Sequence, residues 1–214
     1  MVSRRTFRVV ASLLGLVLLA GIGYAIRWRS NPSPCPYSQR VWIDLPRPGI
    51  TRSKLRTLLD PRPGEQVLEL GPGTGYYTGT IARAVEPNGT VHAADIQRAM
   101  VEHLQVRARR QGHRNVEPIH GDGQRLPYPD NSFDGAYLVL VLGEIPDQER
   151  TLAELERVLK PGGRLVVGES LPDPHFVTLE ALRRRAERQK LRFEDHIGTR
   201  VGYFARFAAP PLTE

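Results

Sequence analysis

From Gln66 onward the sequence predicts an α/β domain built on a largely parallel sheet. Short apolar runs alternate with amphipathic stretches, the pattern of strands joined by covering helices. Turn residues such as Pro61-Arg62-Pro63-Gly64 and Pro87-Asn88-Gly89 punctuate the alternation. The last stretch, 191–207, breaks it: two strand-like runs flank Gly198-Thr199, which predicts a hairpin and an antiparallel strand at the end of the sheet.

The elements follow in order. Thr51 is placed to cap a helix over 52–59 that carries Leu55, Leu58 and Leu59 on one side. Val67 to Leu70 reads as a buried strand, and Tyr76 to Val85 as a helix with Tyr77, Ile81 and Val85 on one face. Thr90 to Ala94 is a second strand, and Gln97 to Gln111 a helix using Met100, Leu104 and Ala108. Strands are expected at 116–119 and 133–141, then a helix from the Asp147 cap to Leu159. Pro161-Gly162-Gly163 is read as a turn into a fifth strand, 164–168, and 181–189 as the last helix. The domain is expected to occupy 51–214, after a Pro- and Ser-rich linker or cover segment, 30–50, in which Trp42 and Leu45 are candidates to lie over the site.

Upstream, residues 9–26 hold no charge. As a helix they would extend about 27 Å at roughly 1.5 Å per residue, close to the roughly 30 Å of a bilayer's hydrocarbon. A membrane anchor spanning 9–26 within residues 1–29 is the preferred reading. A cleaved signal peptide is the alternative, since Arg4, Arg5 and Arg8 make a basic n-region. The formal charge of +7 divides unevenly: residues 1–30 carry five arginines and no acid, leaving the remainder at 25 basic against 23 acidic residues. That distribution fits membrane flanks better than a nucleic-acid footprint, and no nucleic-acid partner is expected. Cys35 is the only cysteine, which excludes an internal disulfide and a cysteine-based zinc cluster.

Four segments carry the candidate site, because ligands of open α/β sheets bind beyond the carboxyl ends of the strands. In "ELGPGTG", Gly71, Gly73 and Gly75 allow a tight turn and close backbone approach to a ligand. A dinucleotide fingerprint reads G-x-G-x-x-G; here the third glycine comes one place early and Tyr76 stands in its position. Asp95 closes the second strand, where a carboxylate can accept both hydroxyls of a ribose while Ile96 lies against a purine; a capping or surface Asp is the alternative. Asp122 is expected to end the third strand and to accept from an adenine amino group, whereas Asp134 is read as structural. The Pro161-Gly162-Gly163 turn is read as architecture.

Together "VLELGPGTG", "VHAADIQ", "GDGQRLPYPDNSFD" and "LKPGGRLVV" resemble the class I S-adenosylmethionine-dependent methyltransferases, in the small-molecule branch that includes the ubiquinone and menaquinone C-methyltransferases. The likeness covers about residues 50–207. It implies a Rossmann-like seven-stranded sheet of order 3-2-1-4-5-7-6 with strand seven antiparallel, and S-adenosyl-L-methionine as cofactor. It also implies that Glu69 and the Gly71–Gly75 loop hold the methionine part, Asp95 the ribose, Ile96 one adenine face, and Asp122 with the Gly123 backbone the adenine edge and ring.

The expected activity is methyl transfer to a small, hydrophobic or lipid-like acceptor; the alternative is a cofactor-binding or scaffold protein on the same fold. A base is needed only if the acceptor must lose a proton. Glu144, just beyond the fourth strand, is the first candidate, with a helix N-terminal acid as the competing reading; Glu169 is the second, and His175 a weaker one on an exposed loop. The anchor implies a single-pass protein of the cell membrane with its domain on the cytoplasmic side, where the donor is.

Overall fold

A computed structural model of the protein describes residues 32–42, 44, 47 and 49–211. The expected membrane span, 9–26, lies outside these residues, as do Leu45 and the side chain of Trp42. Among the described residues no helix is long and apolar enough to cross a membrane. The elements below all belong to the compact unit that begins at Ser33.

A 3-10 turn, Tyr37–Trp42, precedes helix α1, Arg52–Leu59, whose first turn is capped as expected: the Thr51 hydroxyl accepts from the Lys54 N–H at 3.4 Å. Strands β1 (Gln66–Leu70), β2 (Thr90–Asp95), β3 (Val116–His120), β4 (Phe133–Val139) and β5 (Leu159–Ser170) alternate with helices α2 (Thr78–Val85), α3 (Arg98–Arg110) and α4 (Gln148–Val158). Helix α5, Leu179–Arg188, leads to β6 (Arg192–Thr199) and β7 (Gly202–Ala208). The sheet order is β3-β2-β1-β4-β5-β7-β6, with β1 to β5 parallel and β7 antiparallel to both its neighbours. The order reverses between β1 and β4, which sets the crevice at their carboxyl ends.

Alternation along the strands divides the core. On one face Leu68, Leu70, Leu138, Leu165 and Val167 pack against Leu152, Leu155 and Val158 of α4 and Leu182 and Ala186 of α5. On the other, Val67, Tyr137, Val166 and Phe204 pack against Leu55 and Leu59 of α1 and Ile81 and Val85 of α2. Burying each such large side chain contributes roughly 1.5–3 kcal/mol. The Asp147 side chain caps α4 as expected, accepting from the Arg150 N–H at 3.0 Å.

Several details depart from the sequence expectations. Helix α2 starts at Thr78, because Tyr76 and Tyr77 complete the preceding turn and the Tyr77 hydroxyl donates to the Ile50 carbonyl at 2.6 Å. Pro161-Gly162-Gly163 is a bulge inside a longer strand: Phe133 pairs with Leu159 and Gly135 with Arg164, so residues 160–163 loop out. Gly162 N–H and Gly163 C=O find partners in Pro210 and Ala209, which keeps the bulge in the sheet. The hairpin turns at Arg200-Val201; Gly198 and Thr199 are still paired in β6.

Candidate active site

The chain leaves β1 through Gly71, Gly73 and Gly75, each at positive φ, with φ values of 67°, 54° and 87°. Gly71 is required twice: L side chains rarely adopt its backbone, and a Cβ would overlap the Val141 methyls. The loop is tied to β2 by the Gly71 N–H, which donates to the Ala94 carbonyl at 2.8 Å, and by the Gly73 N–H, which donates to Asp95 Oδ2 at 3.3 Å. Asp95 Oδ1 accepts from the Gln97 N–H at 2.8 Å. Burial pushes the Asp95 carboxyl up, and these two backbone donors offset part of that shift. Asp95 is therefore a preorganised acceptor at the lip of the glycine loop. Ile96 beside it leaves an apolar surface 49% exposed.

Glu69 is buried on the α2 face of the sheet, where its Oε2 accepts from the Thr78 hydroxyl and Tyr137 stands alongside. Burial raises its pKa to about 7, against the Thr78 bond. Its carboxylate braces the start of α2 behind the glycine loop. Asp122 does not end the third strand: β3 stops at His120, and Asp122 bridges to Arg125 in the following turn. Its Oδ1 accepts from the Gln124 backbone N–H at 2.9 Å, and the Gln124 side-chain amide reaches both oxygens. Gly123 is pressed on Leu70, whose methyls would have to shift to admit a Cβ.

Glu144 lies in a 3-10 turn, Leu142–Glu144, just past β4, and accepts from the Cys35 N–H at 3.2 Å. Burial, with Asp173 and Asp95 adding, raises its pKa to about 8. Glu169, near the end of β5, is buried; its Oε2 accepts from the Val177 N–H at 3.2 Å while Oε1 has no hydrogen-bond partner. Burial, with Asp173 and Glu144 nearby, holds its carboxyl well above the ordinary range. His175 is buried rather than exposed. Two groups were not singled out from the sequence: Asp173, whose carboxyl burial also raises, and Gln97, whose amide donates to the Cys35 carbonyl at 2.9 Å. The place of Gln97 two residues beyond Asp95 was the available signal.

The glycine loop, the buried Asp95 and the exposed Ile96 fit an adenosine-bearing cofactor: backbone that can approach closely, an acceptor for hydroxyls and an apolar face. The family model of the ubiE/COQ5 methyltransferase family matches residues 44–181. The chain belongs to that family. The family is one of methyltransferases, and it implies S-adenosyl-L-methionine as the cofactor. An uncharacterised transposon protein of Streptomyces fradiae is 44% identical over 129 residues, 60% of this chain and 36% of that protein. The ubiquinone/menaquinone biosynthesis C-methyltransferase UbiE of Hahella chejuensis is 38% identical over 130 residues, 59% of this chain and 52% of that one. The chain thus spans about half the length of the UbiE relatives it matches. Among solved structures, a SAM-dependent methyltransferase from Aquifex aeolicus shares the fold at TM-score 0.75 and 22% identity, over 82% of this chain and 100% of that one. The [4+2]-cyclase SpnF shares it at TM-score 0.68 and 21% identity, over 75% of this chain and 80% of that one.

Proposed function

We propose that this family member transfers the methyl group of S-adenosyl-L-methionine to a small, hydrophobic acceptor of the quinone or lipid class. The observation that carries the reading is the convergence of the glycine loop and Asp95 with the buried acids Glu144 and Glu169 at one end of the sheet. The UbiE relatives are C-methyltransferases of ubiquinone and menaquinone biosynthesis, which supports a quinone-like acceptor.

The cofactor supplies an electrophilic sulfonium methyl. The chain's own residues bind and orient. Asp95 would offer its oxygens to the ribose, Ile96 would give the adenine an apolar surface, and Asp122 and the Gly123 backbone would take its edge. The Gly71–Gly75 loop, with Glu69 bracing it from behind, would receive the methionine part. Holding two reactants in line contributes roughly 7–11 kcal/mol toward the barrier. Glu144 sits on the acceptor side with a pKa of about 8, a proton affinity suited to taking a proton from an acceptor hydroxyl near neutral pH. Glu169 lies behind it as a second acid.

The test is formation of S-adenosylhomocysteine and methylated product with a short-chain quinol and with lipid extracts. Donor-product binding by calorimetry without transfer to any acceptor would favour the binding-protein alternative. A membrane-anchored setting, with residues 9–26 as the span and the domain on the cytoplasmic side, belongs to the same proposal. Deleting residues 1–30 is expected to lower transfer on membranes while leaving detergent activity intact. Equal activity on membranes, or a reporter after Glu214 that behaves as extracytoplasmic, would overturn that setting.

A further inference from the structure

The segment ahead of α1 is tied to the site at two places. At one end Cys35 is held through both halves of its backbone: its N–H donates to Glu144 Oε2 at 3.2 Å, and its carbonyl accepts from Gln97 Nε2 at 2.9 Å. At the other, Asp44 Oδ1 accepts from the Thr74 hydroxyl at 2.7 Å and from Arg107 Nη1 at 3.0 Å, and the same Arg107 nitrogen donates to the Thr74 carbonyl at 3.1 Å. Between them the Tyr37 hydroxyl lies 3.4 Å from His103 Nδ1. This strap is fastened to the glycine loop by Asp44 and inserted among the acceptor-side groups by Cys35.

Those groups are not fully satisfied. Glu169 Oε1 is buried without a hydrogen-bond partner, beside Glu144 and Asp173. The Glu144 turn and the Asp173–Val177 loop are pressed together at Gly143, where a Cβ would overlap the His175 carbonyl oxygen. A buried polar oxygen without a partner is unfavourable, so an occupant that brings a further hydrogen-bonding group is favoured at this place.

We propose that the Cys35 peptide stands in the polar half of the acceptor subsite, and that Glu144 and Gln97 there read a hydrogen-bond donor and an acceptor set side by side on the molecule to be methylated. The proposal rests on the methyl-transfer reading above and names the chemistry of its substrate. The N and O of one residue lie roughly 3 Å apart, the spacing of a hydroxyl and a neighbouring carbonyl or ether oxygen on a ring. Such a ring displaces Cys35 while the Asp44–Thr74–Arg107 tie keeps the strap on the glycine loop. Glu144 and Gln97 are then specificity residues, and the strap is a built-in competitor that admits only molecules able to replace both of its bonds.

Cys35 is the chain's only cysteine, so its labelling by N-ethylmaleimide reports strap opening at one position. Burial, with Glu144 and Asp173, holds its thiol above the ordinary value, so opening raises both access and thiolate content. The full chain is labelled with S-adenosylhomocysteine present and followed by mass spectrometry. Gln97→Ala and Glu144→Ala are each expected to speed labelling about tenfold, the loss of one hydrogen bond. If Glu144→Ala does not fold, Gln97→Ala and Glu144→Gln carry the comparison. 2-Methoxyphenol is expected to speed labelling of the wild type, whereas 1,2-dimethoxybenzene, which lacks the hydroxyl, leaves it unchanged. Equal rates in wild type and variants, or the same response to both ring compounds, would overturn the proposal. Failure to methylate any acceptor would sink the transfer reading without altering these labelling rates, so the two failures are separable.

Discussion

The two ends of the sheet treat their carboxylates in opposite ways. At the amino end Glu65 pairs with Arg164, Asp134 accepts from Lys160 and the Gln66 N–H, and Glu154 with Asp130 grips Arg157. Partners there hold Asp134 and Glu154 below the ordinary carboxylate range. At the carboxyl end burial dominates, and Glu69, Asp95, Glu144, Glu169 and Asp173 are all pushed up. The amino end uses its charges to hold strands together; the carboxyl end keeps buried acids with raised proton affinity, at the expense of stability.

The comparison breaks most sharply at Arg164. Arg164→Ala leaves the half-buried Glu65 without its charged partner, held by the Arg62 N–H alone, and is expected to destabilise the fold by about 2 kcal/mol with donor-product affinity unchanged. Denaturant unfolding and calorimetry check the two halves of that statement. Asp95→Ala is the converse: about a 100-fold loss of S-adenosylhomocysteine affinity by calorimetry, from two charge-assisted hydrogen bonds, with a melting temperature no lower than wild type. Loss of stability in Asp95→Ala, or loss of affinity in Arg164→Ala, would erase the division.

The pH dependence sharpens it further. Glu69 and Glu144 are raised from 4.5 to about 7 and about 8, so across that window the unfolded chain releases protons that the folded chain keeps. Their contribution to stability is present below 4.5 and declines as pH rises toward 8. Asp134 and Glu154 act oppositely: theirs is present above the ordinary carboxylate range and fades as pH falls through it. Melting temperature against pH is therefore expected to decline on both sides of a mildly acidic maximum, with Glu144→Gln flattening the alkaline side. As a base Glu144 works when ionised, so transfer in wild type is expected to climb through about pH 8, a limb missing from Glu144→Gln. The smallest effect belongs to the exposed Arg62–Asp60 pair: Arg62→Ala is expected to shift stability by less than about 0.5 kcal/mol.

The fold was legible because its signals are local. Thr51 and Asp147 announce their helices within three residues, and apolar periodicity marks the strands. The bulge at 160–163 was not, since Gly162 and Gly163 depend on bonds to Pro210 and Ala209 far along the chain. The site divides in the same manner. Gly71 and Asp95 belong to two short motifs whose spacing is visible, and the structure brings those motifs together through the Gly73 N–H. Asp122 could be named, but not its engagement by Gln124. Asp173 and the Cys35 contact with Glu144 arise from packing between segments up to 109 residues apart, for which no periodicity exists.

The antiparallel course of β7 has a practical consequence. Because it runs against β5, Gly202 pairs with Ser170 at the reactive end and Ala208 with Arg164 at the opposite pole. A handle grafted downstream of Ala208 would hold the protein by its base. Coupled to a solid support in that orientation, the molecule would present its cleft to the flowing solution, ready for screening of acceptors on a sensor surface.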